Sequence, residues 1–404
     1  MQQTAAADIV IFGGGIAGLW LLNRLRAAGF TTLLFESHAL GGGQTQKSQG
    51  IIHGGLKYAL QGRLTNDAKA LQAMPNIWDA CLAGHGEIDL SNVPILSRHQ
   101  YLWSPNKFTA KFAGFLANMA LKAGVTRVPS DDYPAIFKDQ AFKGEVFSLN
   151  ELVLDVPTLI LELFKNQQDT IFKIDPVTEE AFQFDDEGKL NAVSVALNGQ
   201  SLQILAQYFI FTAGAGNETI IRKLNHPKLA MQRRPLHMTL VKTPFDHAFY
   251  GHCLGWDARP RITITTQRGL DGHAYWYLGG QLAETGIHRD PKNQTESARS
   301  ELKNLFPWLN FNEATFATLM VDRSEPKETQ GLKPETACYQ TMHNIIVGWP
   351  TKLALAPKLA QDILLHLQQQ GVTQKLFWVR ELRAWPMPPI ASPIWEEAFC
   401  KNAV

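Results

Sequence analysis

The residues best suited to chemistry open the chain. Asp8-Ile-Val-Ile-Phe-Gly-Gly-Gly-Ile-Ala-Gly18 runs an apolar strand into Gly13, Gly15 and Gly18. In that spacing Gly13 turns the chain out of the strand, Gly15 lets backbone approach a pyrophosphate, and Gly18 lets a helix lie close to the sheet. The helix N-terminus then meets phosphate with free N–H groups. Glu36 ends the run Thr31-Thr-Leu-Leu-Phe-Glu36, where a carboxylate can accept both hydroxyls of a ribose. Strand, glycine turn, helix, second strand and acid together predict dinucleotide binding.

The glycine fingerprint alone fits a nicotinamide or a flavin. Two later features favour the flavin. Gly41-Gly-Gly-Gln-Thr-Gln-Lys-Ser-Gln-Gly-Ile-Ile-His-Gly-Gly55 is a long polar, glycine-rich loop directly after the ribose acid. Such a loop can wrap an extended pyrophosphate and bring backbone to a flat ring. The last long helix starts just after Gly348-Trp-Pro-Thr-Lys-Leu353. Its positive end could face the flavin pyrimidine, where reduced flavin carries negative charge.

The elements that must position these residues follow from pattern and composition. At 404 residues the chain is long enough for two domains. With 45% hydrophobic and 19% charged residues it reads as an ordinary globular enzyme. A net charge of +1 argues against a nucleic-acid protein relying on a broad basic surface and leaves room for a local basic pocket. Cys81, Cys253, Cys338 and Cys400 show no metal-ligand spacing and suit a reducing compartment. No stretch is apolar enough to span a membrane and no basic leader precedes the first strand, so a cytoplasmic location is the expectation.

A first helix is expected from Ile16 to Ala28, stopped by Gly29, and a second from Thr65 to Leu82, interrupted at Pro75. Asn106 to Ala123 has an apolar face and outward Lys107, Lys111 and Lys122, so it either packs on the core or touches a membrane surface peripherally. Asp155 is expected to cap a helix, and Pro357 to open one that Gly371 stops. Ile287 to Arg299 reads as a surface loop leading into a helix. From about Met238 to Gln281 the pattern alternates, with Arg261, Thr263 and Thr265 facing away from Ile262 and Ile264, which predicts an antiparallel sheet. The expected class is α/β: a discontinuous Rossmann-like nucleotide domain (1–90, 145–225 and 330–404) with an inserted antiparallel-sheet α+β substrate domain (91–144 and 226–329).

These blocks together resemble the D-amino-acid-oxidase superfamily of FAD-dependent oxidoreductases, nearest its glycerol-3-phosphate dehydrogenase and L-2-hydroxyglutarate dehydrogenase branches. The resemblance rests on the fingerprint with Glu36, Ser48 to Tyr58, Phe211-Thr-Ala-Gly-Ala-Gly216, Val321-Asp-Arg323 and Gly348 to Pro357. It implies FAD, held non-covalently. Gly13, Gly15, Ile16, Ala17, Gly18, Glu36 and Ser37 would hold the ADP half, with Val177 near the adenine. Thr45, Ser48, Gln49, Gly50, Ala213 and Gly214 would line the pyrophosphate and its approach to the ring. Gly348, Thr351, Lys352 and Leu353 would sit on the flavin. Two departures stand out. The glycine-rich run that often precedes the last helix is here Gly-Trp-Pro-Thr-Lys, and Lys57 stands where the glycerophosphate branch usually has arginine. Lysine cannot offer phosphate the same bidentate fork.

Oxidation by hydride loss also needs a proton acceptor and a cation to fix an anionic substrate. Arg323, at the family's strand-end position, is the first choice of cation, with pairing to Asp322 or Glu325 as its structural alternative. Lys352, at the flavin-side loop, is a catalytic candidate to stabilise reduced flavin or grip substrate, and Lys57, Tyr58 and Arg261 are candidate substrate contacts. His53, in the flavin loop, and His237 and His252, from the antiparallel region, are the candidate bases. A histidine near the place of His53 carries covalent flavin in some relatives, although the surrounding residues resemble the non-covalent branches. Cys253 beside His252 lacks a third orienting group for thiolate chemistry. The expected function is a dehydrogenase acting on the CH–OH bond of a small anionic metabolite, a 2-hydroxyacid or a glycerol 3-phosphate-like ester. The alternatives are an amino-acid or amine oxidase using oxygen, and a flavoprotein whose cofactor is structural. The electron acceptor (oxygen, quinone or protein) is open at this level.

Overall fold

The apolar run ahead of the glycine turn forms β1 (Thr4–Phe12) in a computed structural model that describes residues 3–54, 66–105, 125–227, 229–254, 260–327, 336–375 and 380–400. β1 pairs in parallel with β2 (Thr32–Glu36) on one side and β12 (Gln200–Phe211) on the other. Parallel pairing continues outward to β9 (Ile171–Lys173) and to β19 (Ile345–Trp349). Antiparallel strands β10 (Phe182–Phe184), β11 (Leu190–Leu197) and β18 (Cys338–Met342) complete an eight-stranded sheet.

Both faces of this sheet are covered, which is why its strands read as continuous apolar runs. On one face Ile9, Ile11, Leu34, Ile210 and Ile346 meet the helices α1 (Ile16–Ala27), α2 (Asn66–Leu82), α3 (Val156–Lys165) and, late in the chain, Ala356–Gln369. On the other, Val10, Phe12, Phe35, Phe209 and Val347 pack with Ile220 of α4 (Asn217–Leu224). Asp155 caps α3 by accepting from the Thr158 amide at 2.9 Å.

A second eight-stranded sheet runs in the order β17-β13-β16-β15-β14-β5-β7-β6. Its strands are β5 (Gln100–Ser104), β6 (Thr126–Arg127), β7 (Glu145–Leu149), β13 (Met231–Lys242), β14 (Gly251–Leu254), β15 (Pro260–Arg268), β16 (Ala274–Gly279) and β17 (Thr315–Pro326). Pairing is antiparallel except between β14 and β5, which run parallel, so the sheet is mixed rather than wholly antiparallel. Strand β7, just past the boundary drawn at 145, hydrogen-bonds into this second sheet.

One face of the second sheet buries Trp103, Val241, Ile264 and Trp276 against the helix Pro291–Leu305; the short helix Gln281–Thr285 precedes it. These are α6 and α5. The opposite face carries Met238, Leu240, Tyr277 and Val321 and receives Ile394 and Trp395 of α8 (Ile394–Cys400); α7 is the helix Ala356–Gln369 named above. A small three-stranded sheet of β3 (Ile51–Ile52), β8 (Leu152–Leu154) and β4 (Ile95–Ser97) lies between the large ones in sequence.

Two expectations of local structure change. Pro75 lies inside α2 without ending it. Met74, Trp78 and Cys81 are buried in the first core, and Trp78 Nε1 donates to the Ala354 carbonyl at 3.0 Å, so tertiary burial outweighs the missing N–H. Within the stretch read as a loop, helix α6 already starts at Pro291 because Asp290 caps it, accepting from the Asn293 amide at 2.7 Å. The lysine-bearing segment 106–123 lies outside the described residues. Among the described residues, no helix is long and apolar enough to cross a membrane.

Candidate functional site

At the carboxyl end of β1 the three glycines are constrained by what surrounds them. Gly13 adopts φ +111°, and a Cβ there would lie 2.6 Å from the Ala213 Cα. A Cβ on Gly18 would lie 1.9 Å from the Gly13 carbonyl oxygen, so helix and turn close on each other. Among the described residues a Cβ at Gly15 would meet only the Thr45 hydroxyl, 3.2 Å away, leaving that side of the turn open. The Ile16 amide donates to Thr45 Oγ1 at 3.0 Å, and Ala17 and Gly18 follow in the first turn, where amides lack intrahelical acceptors.

Glu36 reaches back across this turn. Its Oε2 accepts from the Gly14 amide and its Oε1 from the His38 amide, each at 2.7 Å. Each oxygen retains a lone pair for a further donor such as a hydroxyl. The Ser37 hydroxyl lies 2.9 Å from His38 Nδ1, and Lys173 Nζ donates to the Ser37 carbonyl. Val177 stands half-buried beyond β9, against the second face of the parallel sheet. The Ser48 hydroxyl is buried with no hydrogen-bond partner among the described residues, a position that asks for a polar ligand atom. Open space above Gly15, a first turn of amides, a carboxylate at the strand end and an orphaned hydroxyl fit the phosphates and ribose of a dinucleotide.

The closing segment approaches from the other side. Ala213 donates its amide to Asn217 Oδ1 at 2.8 Å, and Gly214 takes φ +58°. The buried Asn217 also donates to the Gly348 carbonyl at 3.4 Å, tying the Ala213 turn to the end of β19. Thr351 adopts φ +59°, a strained conformation for a branched residue, and its hydroxyl donates to the Thr336 carbonyl at 3.1 Å. Lys352 is half-buried at the head of the turn Leu353–Leu355, which packs on β3. The expected flavin segment and the end of the loop beginning at Gly41 are therefore neighbours.

That loop lies along the Met238–Tyr277 face of the second sheet. Gln44 Nε2 donates to the Asp322 carbonyl at 2.9 Å, and the Tyr277 hydroxyl to the Lys47 carbonyl at 2.9 Å. Gln49 Nε2 donates to the Tyr277 carbonyl at 2.8 Å, so this amide fastens loop to sheet. Gly50 takes φ +72°, and a Cβ there would lie 2.3 Å from the Leu154 carbonyl oxygen. Tyr277, Gln44 and Asn217 were not singled out from sequence, because only the folded register brings them to this seam.

Arg323 pairs in register with Arg234 on β13, on the same face as Met238. Neither acid weighed as its partner is bound to it: Asp322 pairs with Arg233 at 3.3 Å and Glu325 with Arg234. Among the described residues no carboxylate lies within ion-pair distance of Arg323, whose Nε donates to the Arg234 carbonyl at 3.3 Å. Burial, then repulsion by Arg234, push its pKa down to about 10, with Glu284 and Glu325 acting the other way.

Two other candidates are engaged elsewhere. Arg261 does not share a face with Thr263 and Thr265. A register shift between Cys253 and Leu254 breaks the alternation opposite it, and its guanidinium pairs with Glu301 of α6, Nη2 donating to Oε2 at 2.8 Å. His237 is a satisfied core histidine on the α6 side, with Nδ1 3.0 Å from the Gly286 carbonyl and its own carbonyl accepting from Gln294. Burial pushes the Cys253 thiol up to about 12, which removes it as a nucleophile. Lys57 and Tyr58 lie outside the described residues.

His53 and His252 are brought together, with a third residue that sequence reading missed. The rings of the two histidines lie 6.3 Å apart, centroid to centroid, at an interplanar angle of 26°. Glu151 stands beside them, with Oε2 3.0 Å from His53 Nδ1 and Oε1 accepting from the Gly54 amide at 2.9 Å. Burial opposes its charge, but His53, His252 and the Gly54 amide hold its carboxyl below the usual range. His252 is buried, its Nδ1 2.9 Å from Thr263 Oγ1, and burial pushes its pKa down to about 4 despite Glu151. It is neutral at pH 7, whereas the His53 side chain is 38% exposed. No local motif marks Glu151; it meets His53 because β8 pairs antiparallel with β3.

The family model described as FAD dependent oxidoreductase, DAO, matches residues 8–323. A probable FAD-dependent oxidoreductase of Pseudomonas aeruginosa is 44% identical over 403 residues, spanning 99% of this chain and 100% of that protein. Its crystal structure superposes with a TM-score of 0.84 at 41% identity, covering 99% of this chain and 100% of that one. An alpha-glycerophosphate oxidase of Streptococcus pneumoniae is 25% identical over 254 residues, 58% of this chain and 40% of that protein. The structure of a glycine oxidase from Geobacillus kaustophilus has a TM-score of 0.62 at 13% identity, covering 96% of this chain and 100% of that one, a likeness of fold alone.

Proposed function

The chain belongs to the DAO family of FAD-dependent oxidoreductases, and from that premise we propose that it oxidises the CH–OH bond of a small anionic metabolite. The substrate class we infer is a 2-hydroxyacid or a glycerol 3-phosphate-like ester. The observation that carries this reading is Arg323, a half-buried guanidinium on the loop-facing side of the second sheet with no carboxylate partner among the described residues. A cation kept from its neighbouring acids, which pair with Arg233 and Arg234 instead, is suited to an anion arriving from solution.

Bound FAD supplies the hydride acceptor. The chain's own residues have three tasks. Gly13, Gly15, Ile16, Ala17 and Gly18 would cradle the phosphates, with Glu36 and Ser37 at the ribose and Val177 near the adenine. Thr45, Ser48, Gly50, Ala213 and Gly214 would line the route to the ring, with Gln49 anchoring it, and Gly348, Thr351, Lys352 and Leu353 would close over the ring. Arg323 would fix the anionic end of the substrate, and His53, half-buried and hydrogen-bonded through Nδ1, would accept the hydroxyl proton. His237 and Arg261, engaged by Gly286 and Glu301, are left to structural roles.

An amino-acid carboxylate would satisfy Arg323 equally well, so the test must separate alcohol from amine. Anaerobic mixing of the flavoprotein with 2-hydroxyacids, glycerol 3-phosphate and amino acids, followed by loss of flavin absorbance, does so. Bleaching by a hydroxylated anion is the expected result. Bleaching by amino acids alone would overturn the proposal in favour of an amine oxidase.

A further inference from the structure

Glu151 is an enclosed carboxylate beside the candidate base, His53. It is 3% exposed and sits in the turn between β7 and β8, its amide donating to the Leu149 carbonyl at 2.8 Å. Because Ile52 pairs with Leu152 in the antiparallel ladder of β3 and β8, the next residues outward, His53 and Glu151, face each other by register. Both oxygens are used on adjacent groups: Oε2 on His53 Nδ1 and Oε1 on the Gly54 amide. The Gly54 contact fixes which oxygen faces the imidazole, since an amide N–H can only donate.

We propose that Glu151 is a positioning residue that holds His53 with its proton on Nδ1, leaving Nε2 as the basic nitrogen for the substrate hydroxyl. The inference rests on the alcohol-oxidising reading and names the group that makes its base competent. In the step, the substrate O–H bond breaks and its proton passes to His53 Nε2. Bound FAD would supply the acceptor for the C–H hydrogen and its electron pair, so that the C–O bond would become C=O. His53 is then an imidazolium beside the Glu151 carboxylate, which stabilises it without itself taking the proton. His252, buried and bonded to Thr263, supplies a neutral wall to the pair rather than a second acceptor.

The geometry dictates what Glu151→Gln does. The amide oxygen must stay on the Gly54 N–H, which turns the NH2 group toward His53 Nδ1. Nδ1 must then accept, its proton moves to Nε2, and the acceptor lone pair is lost. The expected result is a fall in the rate of flavin reduction of about 100-fold or more, with flavin content unchanged and KM altered by less than about threefold. Glu151→Asp, which keeps the charge, should recover part of that loss. The acid-side limb of the pH–rate profile should move in Glu151→Gln; the groups facing Glu151 among the described residues are His53, His252 and the Gly54 amide.

Nitrogen-15 NMR of histidine-labelled protein reads the tautomer without any substrate. The Nδ1–H form of His53 in the parent and the Nε2–H form in Glu151→Gln are expected. The same tautomer and the same rate profile in both proteins would overturn the assignment. If no hydroxylated anion bleaches the parent flavin, the proposed reaction fails, but the tautomer comparison still decides the role of Glu151. Should Glu151→Gln not fold, the parent spectrum alone serves: an Nε2–H tautomer of His53 there would refute the proposal.

Discussion

On the side proposed for the nucleotide, the wall of the site is backbone. Gly13, Gly15 and Gly18 set it, joined by the Glu36 carboxylate and the Thr45 and Ser48 hydroxyls. On the sheet side, the wall is side chains from separated strands: Arg323 on β17, Tyr277 on β16, Thr263 on β15 and His252 on β14. A backbone wall serves any molecule with the same phosphates. A side-chain wall can be altered residue by residue without disturbing the turn. Cofactor and fold are accordingly shared with relatives of differing names, while the substrate side must be tested on this chain.

The comparison is broken most severely at Gly18. A valine there forces its Cβ onto the Gly13 carbonyl, 1.9 Å away and unable to retreat because β1 and α1 are both buried. Gly18→Val should lose bound flavin and about 4 kcal/mol or more of stability, read from the flavin-to-protein absorbance ratio and the urea midpoint. Gly15→Ala sharpens the contrast, because its Cβ meets only the Thr45 hydroxyl at 3.2 Å. That variant should fold with nearly parental stability while binding flavin more weakly. If Gly18→Val retained its colour and midpoint, the close helix–turn contact would not matter as argued.

His252 provides the next largest effect, on the sheet side. Its folded pKa of about 4 lies below the ordinary 6.5, so between these values the unfolded chain binds more protons than the folded one. Stability from this group is present above pH 6.5, declines as pH falls through the window, and is lost below about 4, with at most on the order of 3 kcal/mol at stake. Glu151, whose carboxyl is held low, adds a loss of the same sign at still lower pH. Urea unfolding at pH 7 and pH 5 should show the decline in the parent and a shallower one in His252→Gln. Equal slopes would mean that His252 is not buried neutral.

What could be read from sequence follows the same division. The first fingerprint, its helix and Glu36 were legible because they are local, each residue acting within a turn or two of its neighbours. The Asp155 cap and the stop at Gly371, where φ is +67°, were legible for the same reason. Glu151, Asn217 and Tyr277 were not, since each reaches a partner far away in the chain: His53, Gly348 and Lys47. Arg261 shows the converse failure. Alternation placed it with Thr263 and Thr265, but a bulge, invisible in the pattern, turned it to Glu301.

Arg323 and Arg261 therefore make a matched pair on one sheet. Arg323→Ala should lower kcat/KM for an anionic substrate by about 10- to 100-fold, the value of one charge-assisted hydrogen bond, with flavin content unchanged. Arg261→Ala should leave kcat/KM within about twofold of the parent. Its side chain is 41% exposed and already bound to Glu301, so its removal should cost less than about 1 kcal/mol in urea unfolding, and less still at high salt. The pair is informative because both residues carry the same charge and stand on the same sheet. They differ in whether an acid of the chain has already claimed the guanidinium. Equal effects of the two substitutions on kcat/KM would show that this criterion does not distinguish a substrate cation from a structural one here.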